Sequence, residues 1–445
     1  MVDRIATVEI ARANKNLIFR LRQCSVETAD MFDYATLNID AANLPALTTK
    51  QGVLDYGNQL TRALCDHQAV GRELDCFFNG LNIDLASLQF SIGTSEGERF
   101  RWETLYTEPQ FLAVKGNCSV KRIIPTGLGS LPAPRFYQNP IQLLAFLCPA
   151  KVLAKSEFEA IAVALDKARN HIDIEMTVYV GERELLEDIQ ARSAAGQLDR
   201  ITARPMPSST QDLEEILKEK PVQLLHFFCH GYLLDGVHFL RFATISDNEA
   251  EEDDGSVDLS IERLRVILST NKTVWVTVLN SCSGAQEASG LYSMAATLAR
   301  SASPVTIGMA EQIHAEDATL FAANFYPDAF NIIAKALNSP RATIAATIDL
   351  GPAIAAARRV MFNTAQCGTS AGFRRWCLPV MYQQDAGLQV AAISLTMKER
   401  IETVAKALQG LGSDSPTKLR EHIRNILAED PAVPQDLWPD LFGKY

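Results

Sequence analysis

The sequence has no block of Lys and Arg, and its 445 residues carry a net charge of −11. A chain without a basic stripe cannot neutralise a run of phosphates, which argues against nucleic acid or anionic lipid as the main partner. Basic or neutral partners are easier to accommodate. No apolar run reaches the length that spans a bilayer, and Asp3, Arg4 and Glu9 interrupt any apolar signal core near the start. The expectation is a soluble cytoplasmic protein with no membrane role. The nine cysteines, an odd number, include no C-x-x-C pair and no repeated spacing. Cys24, Cys65, Cys76, Cys118, Cys148, Cys367 and Cys377 therefore read as small buried hydrophobes. There is no H-E-x-x-H, no helical repeat, and no low-complexity tract apart from the acidic EAEEDDGS at 249–256. Nothing calls for a metal or a cofactor.

What is present is a legible middle. From about residue 141, apolar strand-like runs alternate with helical patterns, the signature of a parallel sheet covered by helices. IQLLAFLCPA predicts a strand, followed by a helix with a capping box at Ser156 and Glu159 and an apolar face of Phe158, Ile161, Ala162 and Leu165. Further strands are predicted at 174–180, 222–229, 273–279 and 304–309, with helices at 259–268, 291–300 and 316–337. These strands are apolar on both faces, as a sheet between two helical layers requires. Residues 1–140 are less regular and read as a smaller α/β lobe ending in the Pro/Gly-punctuated PTGLGSLPAPRFYQNP. Residues 141–390 form the main domain. Residues 391–445 read as a small helical module, with a T-x-x-E box at Thr396 and Glu399 and a second helix capped by Ser415.

In an open α/β sheet, reactive groups gather beyond the carboxyl ends of the strands. Two positions satisfy this rule. His230 and Gly231 end the strand VQLLHFFC, and Cys282 follows TVWVTVL in VLNSCSGA; the chain between them is long enough for one crossover, so the two ends can be neighbours. A thiolate is the better nucleophile, and an imidazole beside it lowers the thiol pKa and later protonates a leaving amine. Small residues around Cys282 leave room for a peptide backbone, and the N–H groups of Gly231 and Cys282 could bind an oxyanion. Such a site performs acyl transfer. On an alternating strand Cys229 faces away from His230, and His226 lies deeper and reads as a hydrogen-bonded core histidine. A metal site from His226, Cys229, His230 and His238 matches no zinc spacing. GTSEG at 93–97 fits G-x-S-x-G, but the ERFRWETLY that follows is not the apolar-faced helix the motif needs, and GLGSLPAP lacks the Lys of a phosphate loop.

The ordered set HFFCHG, VLNSCSGA and PVTIGMAEQIHAEDATLFAANFY resembles the CHAT peptidases of the caspase-like clan, a family that also resembles separase. FRWETLYTEPQFLAV at 100–114 looks like the tryptophan-glutamate motif of that family's N-terminal lobe, and AIAAARRVMF and RRWCLPVMY look like its terminal helix and strand. The resemblance covers about residues 90–390. It implies a caspase-like parallel-rich sheet flanked by helices, with His230 as general base and acid, Cys282 as nucleophile and Gly231 in the oxyanion hole. Two positions depart from the pattern. Ala315 stands where relatives often carry Asp, and Asn280 where the related metacaspase motif has Asp before its cysteine. Asn280, Glu311, Glu316 and Asp317 are the candidates for a substrate-pocket wall, although acidic residues also suit an exposed helix N-terminus.

The reading that results is a cytoplasmic cysteine endopeptidase acting on protein substrates, switched on by a regulatory partner that binds the C-terminal helices. Kinship implies a setting in bacterial defence or programmed death. The alternative is a scaffold that kept the fold and lost the activity. A transpeptidase or deamidase would use the same acyl-enzyme.

Overall fold

Runs such as LLAFL at 143–147, without polar alternation, must be covered on both sides, and the chain meets that demand with one long sheet between helical layers. The computed structural model describes residues 2–24, 32–80, 83–125, 134–137, 139–219, 221–281, 291–311, 313–338, 346–367 and 370–392. The chain begins with β1 (Val2–Ala13), β2 (Asn16–Cys24) and β3 (Ala35–Thr36), then α1 (Lys50–Cys65), α2 (Gln68–Asn79) and β4 (Ile83–Ile92). The short α3 (Ser95–Glu98) leads to a small hairpin, β5 (Tyr106–Thr107) and β6 (Gln110–Phe111), and to β7 (Cys118–Ile124). After β8 (Arg135–Tyr137), strands and helices alternate as β9 (Ile141–Leu147), α4 (Lys155–Ala168), β10 (Ile174–Val180), α5 (Arg183–Ala194), β11 (Ile201–Pro205), α6 (Thr210–Glu219) and β12 (Leu224–Phe228). An antiparallel insertion of β13 (His230–Leu234), β14 (Val237–Phe242), α7 (Ile245–Glu249) and β15 (Val257–Ser260) follows. Alternation resumes with α8 (Ile261–Thr270), β16 (Val276–Leu279), α9 (Leu291–Ser301), β17 (Val305–Met309) and α10 (Ala315–Leu337). Last come β18 (Ala346–Ile348), α11 (Gly351–Gln366), β19 (Pro379–Gln384) and β20 (Leu388–Ala392).

Twelve strands form the main sheet in the order β11-β10-β9-β12-β16-β17-β19-β7-β4-β1-β2-β3. The six from β11 to β17 are mutually parallel, as the alternation of apolar runs and helices predicts. β19 then pairs antiparallel with β17 and parallel with β7. The residues before 140, read as a smaller α/β lobe, thus extend the same sheet through β7, β4, β1, β2 and β3. On one face Phe158, Phe321 and Phe330 from α4 and α10 pack with Val276, Val278 and Ile307; on the other Leu213, Leu264 and Leu298 from α6, α8 and α9 pack with Leu225, Phe227 and Leu279.

Helix α4 departs from its expected start. It begins at Lys155 rather than after a Ser156 cap, Ala154 occupies the cap without a side-chain bond, and the Ala154 N–H donates to Glu182 Oε1 at 2.7 Å. Glu159 pairs with Arg192 instead of closing a capping box, and Glu157 turns inward. The thermal consequences of tight packing are clearest at Gly57 in α1, where an added Cβ would lie 2.0 Å from the Thr104 carbonyl oxygen. Gly57→Ala is expected to destabilise the protein by about 1–3 kcal/mol, read as a lowered thermal midpoint.

No disulfide joins the described cysteines. Cys118, Cys148, Cys229 and Cys377 are buried and Cys24 and Cys76 partly so, but Cys65 and Cys367 are exposed, against expectation, because each stands at a helix C-terminus that reaches the surface. Among the described residues, no helix is long and apolar enough to cross a membrane. The helical module expected at 391–445 lies outside the described residues apart from its first two positions.

Candidate active site

Because β9, β12, β16 and β17 are parallel, their carboxyl ends share one edge of the sheet. β12 stops at Phe228, whose carbonyl accepts from Cys148 N–H at 2.9 Å. The chain then leaves the sheet: His230 is the first residue of β13 and faces Arg241 of β14 in a separate three-stranded sheet. The strand expected to run through Cys229 thus breaks just before the histidine. His230 is only 7% exposed, and its Nε2 lies 2.9 Å from the carbonyl oxygen of Ala150, just beyond β9. A carbonyl can only accept, so Nε2 carries the proton and the neutral ring has its lone pair on Nδ1. A histidine held this way has a fixed ring orientation.

The neighbouring strand β16 ends at Leu279, and Asn280 N–H continues the ladder to Phe227 O at 2.9 Å. Asn280 and Ser281 are buried, and Gly231 is buried opposite Leu240. Cys282, two positions after Asn280, lies outside the described residues. The structure therefore brings His230, Gly231, Asn280 and Ser281 to one edge.

The expected pocket residues divide. Glu311, beyond β17, sits between Arg101 at 2.8 Å and Arg374 at 3.1 Å, and Asp317 is 3.1 Å from Arg375. Burial pushes the Asp317 carboxyl above its usual range, partly offset by Arg375. Glu316 is exposed in the first turn of α10, the setting a helix N-terminus favours. Asn280 is fully buried and its side chain is spent inside the protein. The acidic wall is thus largely matched by arginines, of which Arg101 comes from the RWET segment.

Beneath this edge lies a buried polar group that the sequence marked only in part. Asn280 Nδ2 donates to Glu157 Oε1 at 2.6 Å and to Ala318 O at 3.0 Å. His226 Nε2 lies 3.1 Å from the same Glu157 oxygen, without hydrogen-bond alignment, and His226 Nδ1 is 2.7 Å from the Tyr326 hydroxyl. Burial, reinforced by Glu157, holds the Tyr326 hydroxyl protonated well above its usual range. His226 is therefore the hydrogen-bonded core histidine expected of it. Glu157 was missed, though its signal was there: an acidic residue four positions before Ile161, on the apolar face of α4.

The insertion shapes the space beyond His230. Its inner face buries Leu240 and Leu259, while its other face carries Tyr232 stacked on Phe239 at 5.2 Å, with Arg241 over the Tyr232 ring at 4.1 Å and tied to Asp258. The acidic run is exposed and pinned by basic residues: Glu249 by Arg183, Asp253 by Lys151 and Asp254 by Arg241. It is a solvated loop held by ion pairs, each of modest worth. Among the described residues no group of three or more His, Cys, Asp and Glu could hold a metal ion.

The CHAT domain family matches residues 57–348. No curated protein matches the chain. Two solved structures of the Saccharomyces cerevisiae separase–securin complex, at 2.6 and 3.0 Å resolution, are similar at 13% and 14% identity, each with a TM-score of 0.31. They cover 75% and 73% of this chain, which spans 17% of the separase chain in each. The chain belongs to the CHAT domain family.

Proposed function

We propose that the protein is a cysteine endopeptidase in which His230 and Cys282 form the working pair. The observation that carries this reading is the tethering of His230: its Nε2–H is held by the Ala150 carbonyl, which fixes Nδ1 as the basic nitrogen at the edge where β16 leads toward Cys282. In the step envisaged, Nδ1 takes the thiol proton while the sulfur attacks a peptide carbonyl carbon. The same nitrogen returns that proton to the departing amine as the C–N bond breaks, leaving a thioester that water hydrolyses. Backbone N–H groups of Gly231 and Cys282 are the proposed oxyanion donors. Glu311, Glu316 and Asp317 remain proposed walls of the substrate pocket, now with arginines beside two of them. A regulatory protein partner at 391–445 and a role in bacterial defence or programmed death belong to the same proposal and rest on family resemblance.

The test is cleavage of a proteome-derived peptide library by the wild type and by Cys282→Ala, with partner proteins added in turn and new termini read by mass spectrometry. New termini that vanish in the variant are expected. Site-resolved alkylation accompanies it, since exposed Cys65 and Cys367 will also react. Burial and the carboxylates of Asp66 and Asp75 push the Cys65 thiol up, so a Cys282 thiolate should outpace it near neutral pH. Absence of cleavage together with slow alkylation of Cys282 would make the protein a scaffold.

A further inference from the structure

Building on that reading, we infer that Glu157 is a positioning residue, one carboxylate oxygen that sets the two catalytic strand ends relative to each other. Glu157 Oε1 accepts from Asn280, which closes β16 two residues before Cys282, and stands 3.1 Å from His226, on the strand that leads into His230. Asn280 is held by three elements at once: α4 through Glu157, α10 through Ala318 O, and β12 through Phe227 O. This removes Asn280 from the pocket wall and makes it the anchor of the carboxyl end of β16.

The cost of the arrangement supports a role beyond packing. Glu157, His226 and Asn280 are all fully buried, and among the described residues Glu157 Oε2 and Asn280 Oδ1 have no hydrogen-bond partner. Buried acceptors left unpaired are destabilising. The Tyr326 hydroxyl lies 2.7 Å from His226 Nδ1, and His226 Nε2 stands 3.1 Å from Glu157 Oε1. The group then links the hydroxyl of α10, the histidine strand, the carboxylate of α4 and the nucleophile strand in one line.

Two sets of variants of the full-length protein test this. Glu157→Leu removes the unpaired Oε2 but leaves one Asn280 N–H without its acceptor, so the protein is expected to stay folded with a modestly lowered thermal midpoint while kcat falls about 100-fold with KM nearly unchanged, the loss typical of a misplacement near 1 Å. Asn280→Asp sets carboxylate against carboxylate and should cost a similar factor. Adding Glu157→Gln then reverses the hydrogen bond, with the Gln amide donating to the new carboxylate, and should restore about tenfold. Glu157→Leu within twofold of wild type, or a double variant no better than Asn280→Asp alone, would overturn the inference. The alkylation rate of Cys282, with Cys65 and Cys367 as internal references, is measured on every variant. If the wild type cleaves nothing but Cys282 alkylation follows the same order, the positioning role stands and the peptidase reading falls; equal alkylation across the variants removes the positioning role.

Discussion

His230→Ala is expected to lower kcat/KM for peptide cleavage by about 10³-fold or more, because no other described side chain at the edge is held to take the thiol proton. The substitution also deprives the Ala150 carbonyl of its donor, so a stability loss of about 1–3 kcal/mol should accompany it. His230→Gln separates the two effects. A glutamine amide can still donate to Ala150 O but accepts no proton at neutral pH, so it should recover part of the stability and none of the activity. Measured kcat/KM and thermal midpoints for the two variants give the comparison. A glutamine variant with near wild-type activity would remove His230 from proton transfer and leave it a purely structural role.

The second large effect is expected at β7. Arg122 is fully buried in β7, where Nη1 donates to Glu98 Oε2 at 2.6 Å and Nη2 to Glu103 Oε2 at 3.2 Å, with further bonds to the Phe100 carbonyl and the Tyr382 hydroxyl. Trp102, the neighbour of Glu103, stacks on Phe90 at 4.4 Å, so the RWET segment is locked to the sheet by an aromatic contact and an ion pair together. Arg122→Met fills the space and strands two buried acids, and should cost about 3–5 kcal/mol in denaturant unfolding. Its pH dependence has a definite sign. Burial pushes the Glu103 carboxyl up, but Arg122 and Arg358 outweigh it and hold it below its ordinary 4.5. A carboxyl depressed in the folded state stabilises above 4.5 and loses that contribution as pH falls from there through the folded value. In the variant burial prevails and the carboxyl is protonated at higher pH. The stability gap between wild type and variant should therefore narrow as the solution is acidified below 4.5. A gap that stays constant would mean that Glu103 is not the charge at stake.

The strands that the sequence marks plainly are mainly apolar runs buried on both faces, such as β12 and β17. β7 is as deeply buried as any of them, yet CSVKRII hides it, because Lys121 and Arg122 find partners at Asp349, Gln383, Glu98 and Glu103. Only the folded topology brings those partners near. The same limit divides the site. His230 and Gly231 follow from the rule of strand ends, while the Ala150 carbonyl, a backbone group, leaves no trace in residue types. The break at Cys229 is set by a hairpin pairing that apolar periodicity does not register. Glu157 went unmarked because the reading of α4 placed its cap at Ser156, two residues after the observed Ala154, and drew the inward face from its apolar residues alone.

The placement of β19 has a consequence for biosynthesis. The last strand of the main sheet in sequence, at 379–384, stands between β17 and β7, so it closes a gap between two blocks of strands made much earlier. Until it emerges from the ribosome, each block presents a bare hydrogen-bonding edge, and such edges invite pairing with other chains. Assembly must wait for contacts spanning more than 250 residues, as between Arg122 and Tyr382, and closure over such distances is slow. A nascent chain paused or cut before residue 379 would be two half-sheets with a missing keystone, a natural client for chaperones and proteases.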